Sequence, residues 1–184
     1  IVLNGEAKKV PEFAFLNQDS LVITNEDFAS KVYVAEFFFT SCPSICPIMN
    51  RNMKRIEERF GMRSNFGIAS FTIDPKHDTP SVLKQYAEDY EVSSQNWHFL
   101  TGDLNTTYEL ANKGFNIFAE INPRVEGGFE HQGYFALIDQ NGFIRSRTDT
   151  FGNPIVYYMG IDQEDVEVQE VELLMEDINK LLNQ

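Results

Sequence analysis

Ala35-Glu36-Phe37-Phe38-Phe39-Thr40-Ser41-Cys42-Pro43-Ser44-Ile45-Cys46-Pro47-Ile48-Met49-Asn50 is the stretch on which the reading of this chain turns. Both cysteines of the sequence lie in it. The apolar run from Val32 to Phe39 reads as a strand buried on both faces. Pro47 is expected to open a helix in which Met49, Met53, Ile56 and Phe60 recur at helical spacing and which Gly61 stops. The segment from Cys42 to Cys46 then reads as an irregular turn, because Pro47 has no N–H and clashes within a continuing helix. Such a turn puts the thiols where α/β sheets place their chemistry, beside a helix N-terminus whose unpaired N–H groups favour thiolates. Residues four apart on one turn lie ~6 Å apart at Cα, within disulfide range.

The chain around this stretch alternates in the same manner. Phe13 to Phe15 and Leu21 to Ile23 flank a turn at 17–20 and read as an N-terminal hairpin, followed by a helical turn capped by Thr24 and Asp27. Phe66 to Ile73 is the next apolar strand, parallel to the first through a β-α-β crossover. Residues 74–79 form a polar loop at its carboxyl end, near the Cys turn, and Thr79-Pro80 caps a helix running to Tyr90. A short strand follows at 96–100, then a helix from Thr106 to Lys113 stopped by Gly114. Residues 116–132, punctuated by Asn122-Pro123 and Gly127-Gly128, read as a long exposed connection. Tyr134 to Asp139 and Phe143 to Arg147 flank Gln140-Asn141-Gly142 as a second hairpin. Val171, Leu174, Met175, Ile178, Leu181 and Leu182 stripe a closing helix. The order β-α-β-α then β-β-α is that of a thioredoxin-like α/β fold: a central mixed sheet flanked by helices, with an N-terminal β-hairpin extension, in one domain over residues 1–184.

Composition sets bounds. A chain of 184 residues can bury a sizeable core, and a hydrophobic share of 42% marks an ordinary globule. The net charge of −13 disfavours nucleic acid and anionic membrane surfaces as partners. No run of 18 apolar residues is present, so nothing in the sequence reads as a membrane span. A start at Ile1 rather than Met reads as a processed or truncated product. Two cysteines and three histidines fit no zinc-finger spacing, and Cys-x-x-Cys-His is absent, which excludes covalent haem. As a structural staple the Cys pair would close so short a loop that the gain is only roughly 2 kcal/mol. Redox chemistry and metal binding remain.

Phe37-Phe38-Phe39-Thr40-Ser41-Cys42-Pro43-Ser44-Ile45-Cys46-Pro47 resembles the signature of the Sco (SenC/PrrC) family, thioredoxin-fold copper proteins that help assemble cytochrome c oxidase. Thr72 to Pro80, Trp97 to Gly102 and Glu130 to Ile144 agree in the same order, so the resemblance covers about Val10 to Arg147. One departure is Glu130, where the family usually has Asp before its histidine. The resemblance implies copper, Cu(I) or Cu(II), held by Cys42, Cys46 and His131, since soft thiolates and imidazole suit that metal. It implies the copper-site subunit of cytochrome c oxidase as partner, with other copper chaperones or thioredoxin-like reductants beside it. It also implies an extracytoplasmic, periplasm-facing location, with a membrane anchor missing from this sequence.

The runner-up is a thiol-disulfide oxidoreductase using Cys42 and Cys46 alone, and a redox sensor signalling through the same disulfide is a third class. Thioredoxin-like reductases place a cis-proline before the strand that here follows His131, and no proline adjoins it. His77 reads as solvated in its polar loop and His98 as packed beside Trp97. Met49 and Met53 read as core by their helical spacing. Asp78 reads as a loop-fixing acid, and Asp74 as either that or part of a recognition surface. Glu36 lies six positions before Cys42, where thioredoxins carry a buried, proton-moving acid; it is either that or a glutamate that points to the sheet edge or is satisfied by a lysine.

Overall fold

The computed structural model describes every residue except 1, 4, 5, 125, 126 and 150, and in addition leaves the side chains of 2, 3, 6 and 129–131 undescribed. Two short strands, β1 (Val2–Leu3) and β2 (Glu6–Ala7), pair with each other, and the expected N-terminal hairpin follows as β3 (Ala14–Leu16) and β4 (Val22–Thr24). Thr24 then caps a 3₁₀ turn, Asn25–Phe28, by a reciprocal box with Asp27.

The central sheet is built on β5 (Val32–Phe38), all seven residues of which are buried. After α1 (Ile45–Phe60) the chain returns as β6 (Phe66–Thr72), and after α2 (Pro80–Asp89) as β7 (Trp97–Leu100). These three strands are parallel, in the order β5-β6-β7. A strand flanked on both sides by others and covered on both faces must be apolar throughout, which is why β5 and β6 lack the alternation of half-exposed strands. Phe37 and Phe71, at one register position, stack with ring centroids 5.3 Å apart.

The segment after β7 departs from its sequence pattern. The helix α3 (Leu104–Glu109) starts earlier than expected because Asp103 caps it through the Thr106 N–H. It continues as a π-helical turn, Leu110–Phe115, that runs through Gly114. The stop is Asn116, left-handed at φ 58°. Gly114 is instead a packing glycine, since a Cβ there would lie 3.2 Å from Pro11. Residues 116–132 are not a bare connection: they contain β8 (Ala119–Ile121) and β9 (Phe129–His131), an antiparallel hairpin of their own.

The sheet is completed by β10 (Tyr134–Ile138), antiparallel to β5, and β11 (Ile144–Arg145), shorter than its sequence suggests. Their turn carries Gly142 at φ 82° and is clamped by Asp139, whose Oδ1 accepts the Asn141 and Phe143 N–H groups. The other half of β10 pairs with β12 (Tyr158–Met159), a strand the sequence did not announce. The closing helix α4 (Glu170–Leu182) buries Val171, Leu174, Met175, Ile178 and Leu181. Asp177 ties it to the strands by accepting hydrogen bonds from Arg147 and the Tyr158 hydroxyl. Burial works against its charge, but those donors outweigh it and hold the carboxyl at about 2. Among the described residues, no helix is long and apolar enough to cross a membrane.

Candidate metal and redox site

The cysteines sit at the carboxyl end of β5, where the chain turns into α1. Cys42 N–H donates to Phe39 O at 3.2 Å, which closes the turn leaving the strand. The helix begins at Ile45, two residues before Pro47, so Cys46 is helical rather than part of an irregular turn. Pro47 is tolerated because it is the third helical residue, whose N–H has no intrahelical acceptor in any case. No side chain of the N-cap Ser44 caps the helix. The Cys46 N–H, another donor of the first turn, points instead at Cys42 Sγ, 3.4 Å away. This end of a helix suits a sulfur that must shed its proton to bind a metal.

Both residues are in the thiol form and buried, Cys42 at 8% exposure and Cys46 at 1%. Burial, with a hydrogen bond and charge interaction from Cys42, pushes the Cys46 thiol far up. Cys42 is therefore the sulfur open to attack, and Cys46 gives up its proton only to a partner that compensates for it.

The turn is fixed from below by Asp78. This carboxylate, wholly buried, accepts hydrogen bonds from Thr40 N–H and from the hydroxyls of Thr40 and Thr72. It thus joins the loop after β6 to the residue two before Cys42, as the loop-fixing reading expects. Asp78→Asn places an amide NH₂ against those donors; the expected loss of stability is about 2–4 kcal/mol, measured by urea denaturation of the reduced protein. Asp74 is also buried and bonds His77 Nδ1 at 2.8 Å, while the His77 side chain is 71% exposed. His98 lies away from the Cys turn, bonded to Asn17 at 3.2 Å and packed edge-on against Phe28. Met49 and Met53 are fully buried in the core.

His131 ends β9, its backbone opposite Ala119; its side chain lies outside the described residues. Two contacts place that strand over the Cys turn. A Cβ built on Gly127, at φ 88°, would come within 3.1 Å of the Phe39 ring and 3.3 Å of Pro43. One built on Gly133 would sit 3.6 Å from Ile45 Cδ1. Pro43 adjoins Cys42 and Ile45 adjoins Cys46, so His131 belongs to a segment seated at both ends against the cysteines' neighbours. Among the described residues, no cluster of three or more His, Cys, Asp or Glu forms a metal site.

Behind Cys46 is a polar group that the motif does not contain. Glu36 is fully buried and accepts from Ser70 Oγ at 2.7 Å, which in turn accepts from Trp97 Nε1 at 3.0 Å. Burial raises its carboxyl to about 7, a shift the Ser70 bond opposes. The strand-edge reading of Glu36 is thereby excluded. Asn50 donates to Cys46 O at 3.1 Å and to Tyr86 Oη at 2.8 Å, tying α1 to α2. Its signal in the sequence is a polar residue on the buried stripe with Cys46, Met49 and Met53.

This arrangement can be set beside known proteins. The SCO1/SenC family matches residues 2–164. The chain belongs to the SCO1/SenC family. An SCO1 protein homolog of Bacillus subtilis is 35% identical over 136 residues, 73% of this chain and 70% of that protein. A SCO1/SenC family lipoprotein from Bacillus anthracis superposes with a TM-score of 0.78 at 28% identity, over 96% of each chain. BsSco, a Sco family cytochrome c oxidase assembly protein with a disulfide switch, gives 0.75 at 28%, over 96% and 95%. The copper-bound ScoI of Bradyrhizobium japonicum, 17% identical, shares the fold at 0.70 over 94% of this chain and 99% of that one. The thioredoxin-like SCO1/SenC fold is therefore common to all of these.

Proposed function

We propose that this chain binds a copper ion through Cys42, Cys46 and His131 and delivers it to, or prepares with it, the copper site of cytochrome c oxidase. The observation that carries the reading is the turn into α1, where the Cys46 N–H points at Cys42 Sγ beneath the segment that bears His131. Two thiolates and an imidazole form a soft donor set suited to copper. The copper-bound relative and the oxidase-assembly relative support the metal and the destination. The copper is cargo: a site with one ligand on a separate hairpin can release the ion when a competing ligand set displaces it. The copper-site subunit of the oxidase is the receiving partner, and other copper chaperones or thioredoxin-like reductants supply the ion or the electrons. An extracytoplasmic location on a membrane anchor accords with the Bacillus anthracis relative, a lipoprotein.

The test is a titration of reduced protein with Cu(II), followed by absorption and EPR. His131→Ala is expected to weaken Cu(II) binding by at least about a hundredfold, with the far-UV circular dichroism unchanged. Unchanged spectra and affinity in that variant would remove His131 from the site.

A further inference from the structure

The β8–β9 hairpin has an outer edge that the described residues leave incompletely paired. Asn122 N–H donates to Gly128 O and Gln132 N–H to Phe118 O, two residues on either side of the Glu120–Glu130 register pair. Antiparallel ladders alternate bonded and non-bonded pairs, so Glu120 bonds inward while Ala119 and Ile121 turn N–H and C=O outward. At Ala119 a side chain takes the place of a strand: Asn112 Nδ2 donates to Ala119 O at 2.9 Å and its Oδ1 accepts Ala119 N–H at 3.2 Å. Ile121 is the next outward position, 52% exposed, and it opens on a groove of about 360 Å³.

The groove has the lining that an added strand would need. Pro75, Leu104 and Ile121 supply apolar surface for a side chain. Asp103 lines it as well, and its carboxylate is exposed. Glu120, next to Ile121 along β8, is exposed, and burial together with the Asp74 and Glu120 charges pushes the Tyr108 hydroxyl up to about 12. Lys76 is a cation on the same wall, but the chain as a whole carries −13. A ladder position without a partner among the described residues suits an extended backbone as the occupant, and the surrounding charge selects its flanks.

We propose that the outer edge of β8 is a docking site for an extended segment of a protein partner, which pairs with Ile121 and seats one apolar side chain between Pro75 and Leu104, with basic residues on either side. The segment extends the hairpin that carries His131, so a partner held there is joined through β8 to the strand that ends at His131. This deepens the copper-delivery reading and rests on it for the partner's role, but not for the binding itself.

The test uses the reduced, metal-free chain and a capped synthetic peptide, Lys-Thr-Val-Thr-Lys. At saturating peptide, amide shifts are expected at Gly102, Leu104 and Ile121, and exchange of the Ile121 N–H should slow by about tenfold or more. The same peptide N-methylated at its central valine removes the ladder donor without altering the protein, and should bind at least about tenfold more weakly. Ile121→Pro should weaken the unmodified peptide to the same degree. Equal binding of the methylated peptide, or shifts confined to other surfaces, overturns the proposal. Protection of Ile121 that grows with protein concentration in the absence of peptide also overturns it, assigning the edge to a second copy of this chain. Because no copper is present, this outcome is independent of whether His131 proves to be a ligand.

Discussion

Cys46→Ser is expected to lower copper affinity by roughly a hundredfold to a thousandfold and to abolish the intramolecular disulfide, while leaving the fold intact. The magnitude follows from sharing the ~10–16 kcal/mol of a four-ligand protein metal site among its ligands, which gives about 2.5–4 kcal/mol for each. At about 1.4 kcal/mol per tenfold, one lost ligand amounts to two to three powers of ten. A serine hydroxyl does not recover this, being a poor match for a soft metal and not ionising in this range. The fold survives because Cys46 contributes little packing beyond its sulfur, and its backbone N–H still reaches Cys42 Sγ. Its buried hydroxyl costs about 1–3 kcal/mol. Cys42→Ser should match it in copper affinity but differ in reactivity: the remaining thiol, 1% exposed and pushed far up by burial, should resist alkylation, whereas Cys42 at 8% should react in Cys46→Ser. Copper titration with mass-spectrometric thiol counting reads both. Retention of tight copper by either serine variant would be fatal to a two-thiolate site.

How far the sequence reveals this arrangement depends on where the deciding interaction is local. The runs at 32–39 and 66–73 declare buried parallel strands because their composition alone requires cover on both faces. The capping box at Thr24 and the turn at Gly142 are written in adjacent residues and occur as read. The helix start at Ile45 is less legible, since a proline at 47 reads as the first helical position unless the Cys42 sulfur, four residues earlier, is recognised as the acceptor for the Cys46 N–H. Gly114 misleads for a similar reason: its lack of a side chain serves Pro11, about a hundred residues earlier, and the helix stop passes to Asn116. The β8–β9 hairpin and β12 are short strands whose partners are distant or whose ladders are completed by side chains such as Asn112, so no periodicity announces them. At the site, the cysteines and the loop-fixing Asp78 follow from the motif. The Glu36–Ser70–Trp97 chain joins three strands, Glu36 to Ser70 by register and Trp97 by the reach of its indole, and only Glu36 is conspicuous in one dimension.

Glu36 gives the protein an expected pH dependence of unusual sign. Most carboxylates that form ion pairs stabilise the folded state as they ionise; Asp177, held at about 2, is of that kind, and its contribution is lost only in strong acid. Glu36 is raised from an ordinary 4.5 to about 7 because it is buried, and its Oε2 is buried without a hydrogen-bond partner among the described residues. Between those two values the folded state holds a proton that the unfolded chain has released, so the unfolded state binds fewer protons and stability must fall as pH rises. The contribution is fully present below 4.5, declines through the interval and is exhausted above about 7. Its size over the whole interval is on the order of 3 kcal/mol. Glu36→Gln keeps a neutral side chain of the same shape that can still accept from Ser70, so it should flatten this slope and make the variant the more stable protein at about pH 8. Urea denaturation of the reduced, metal-free protein and of the variant, at about pH 5 and about pH 8, measures the difference. The same decline in both proteins would show that Glu36 ionises as an ordinary carboxylate, and that its bond to Ser70 is not held by a neutral acid.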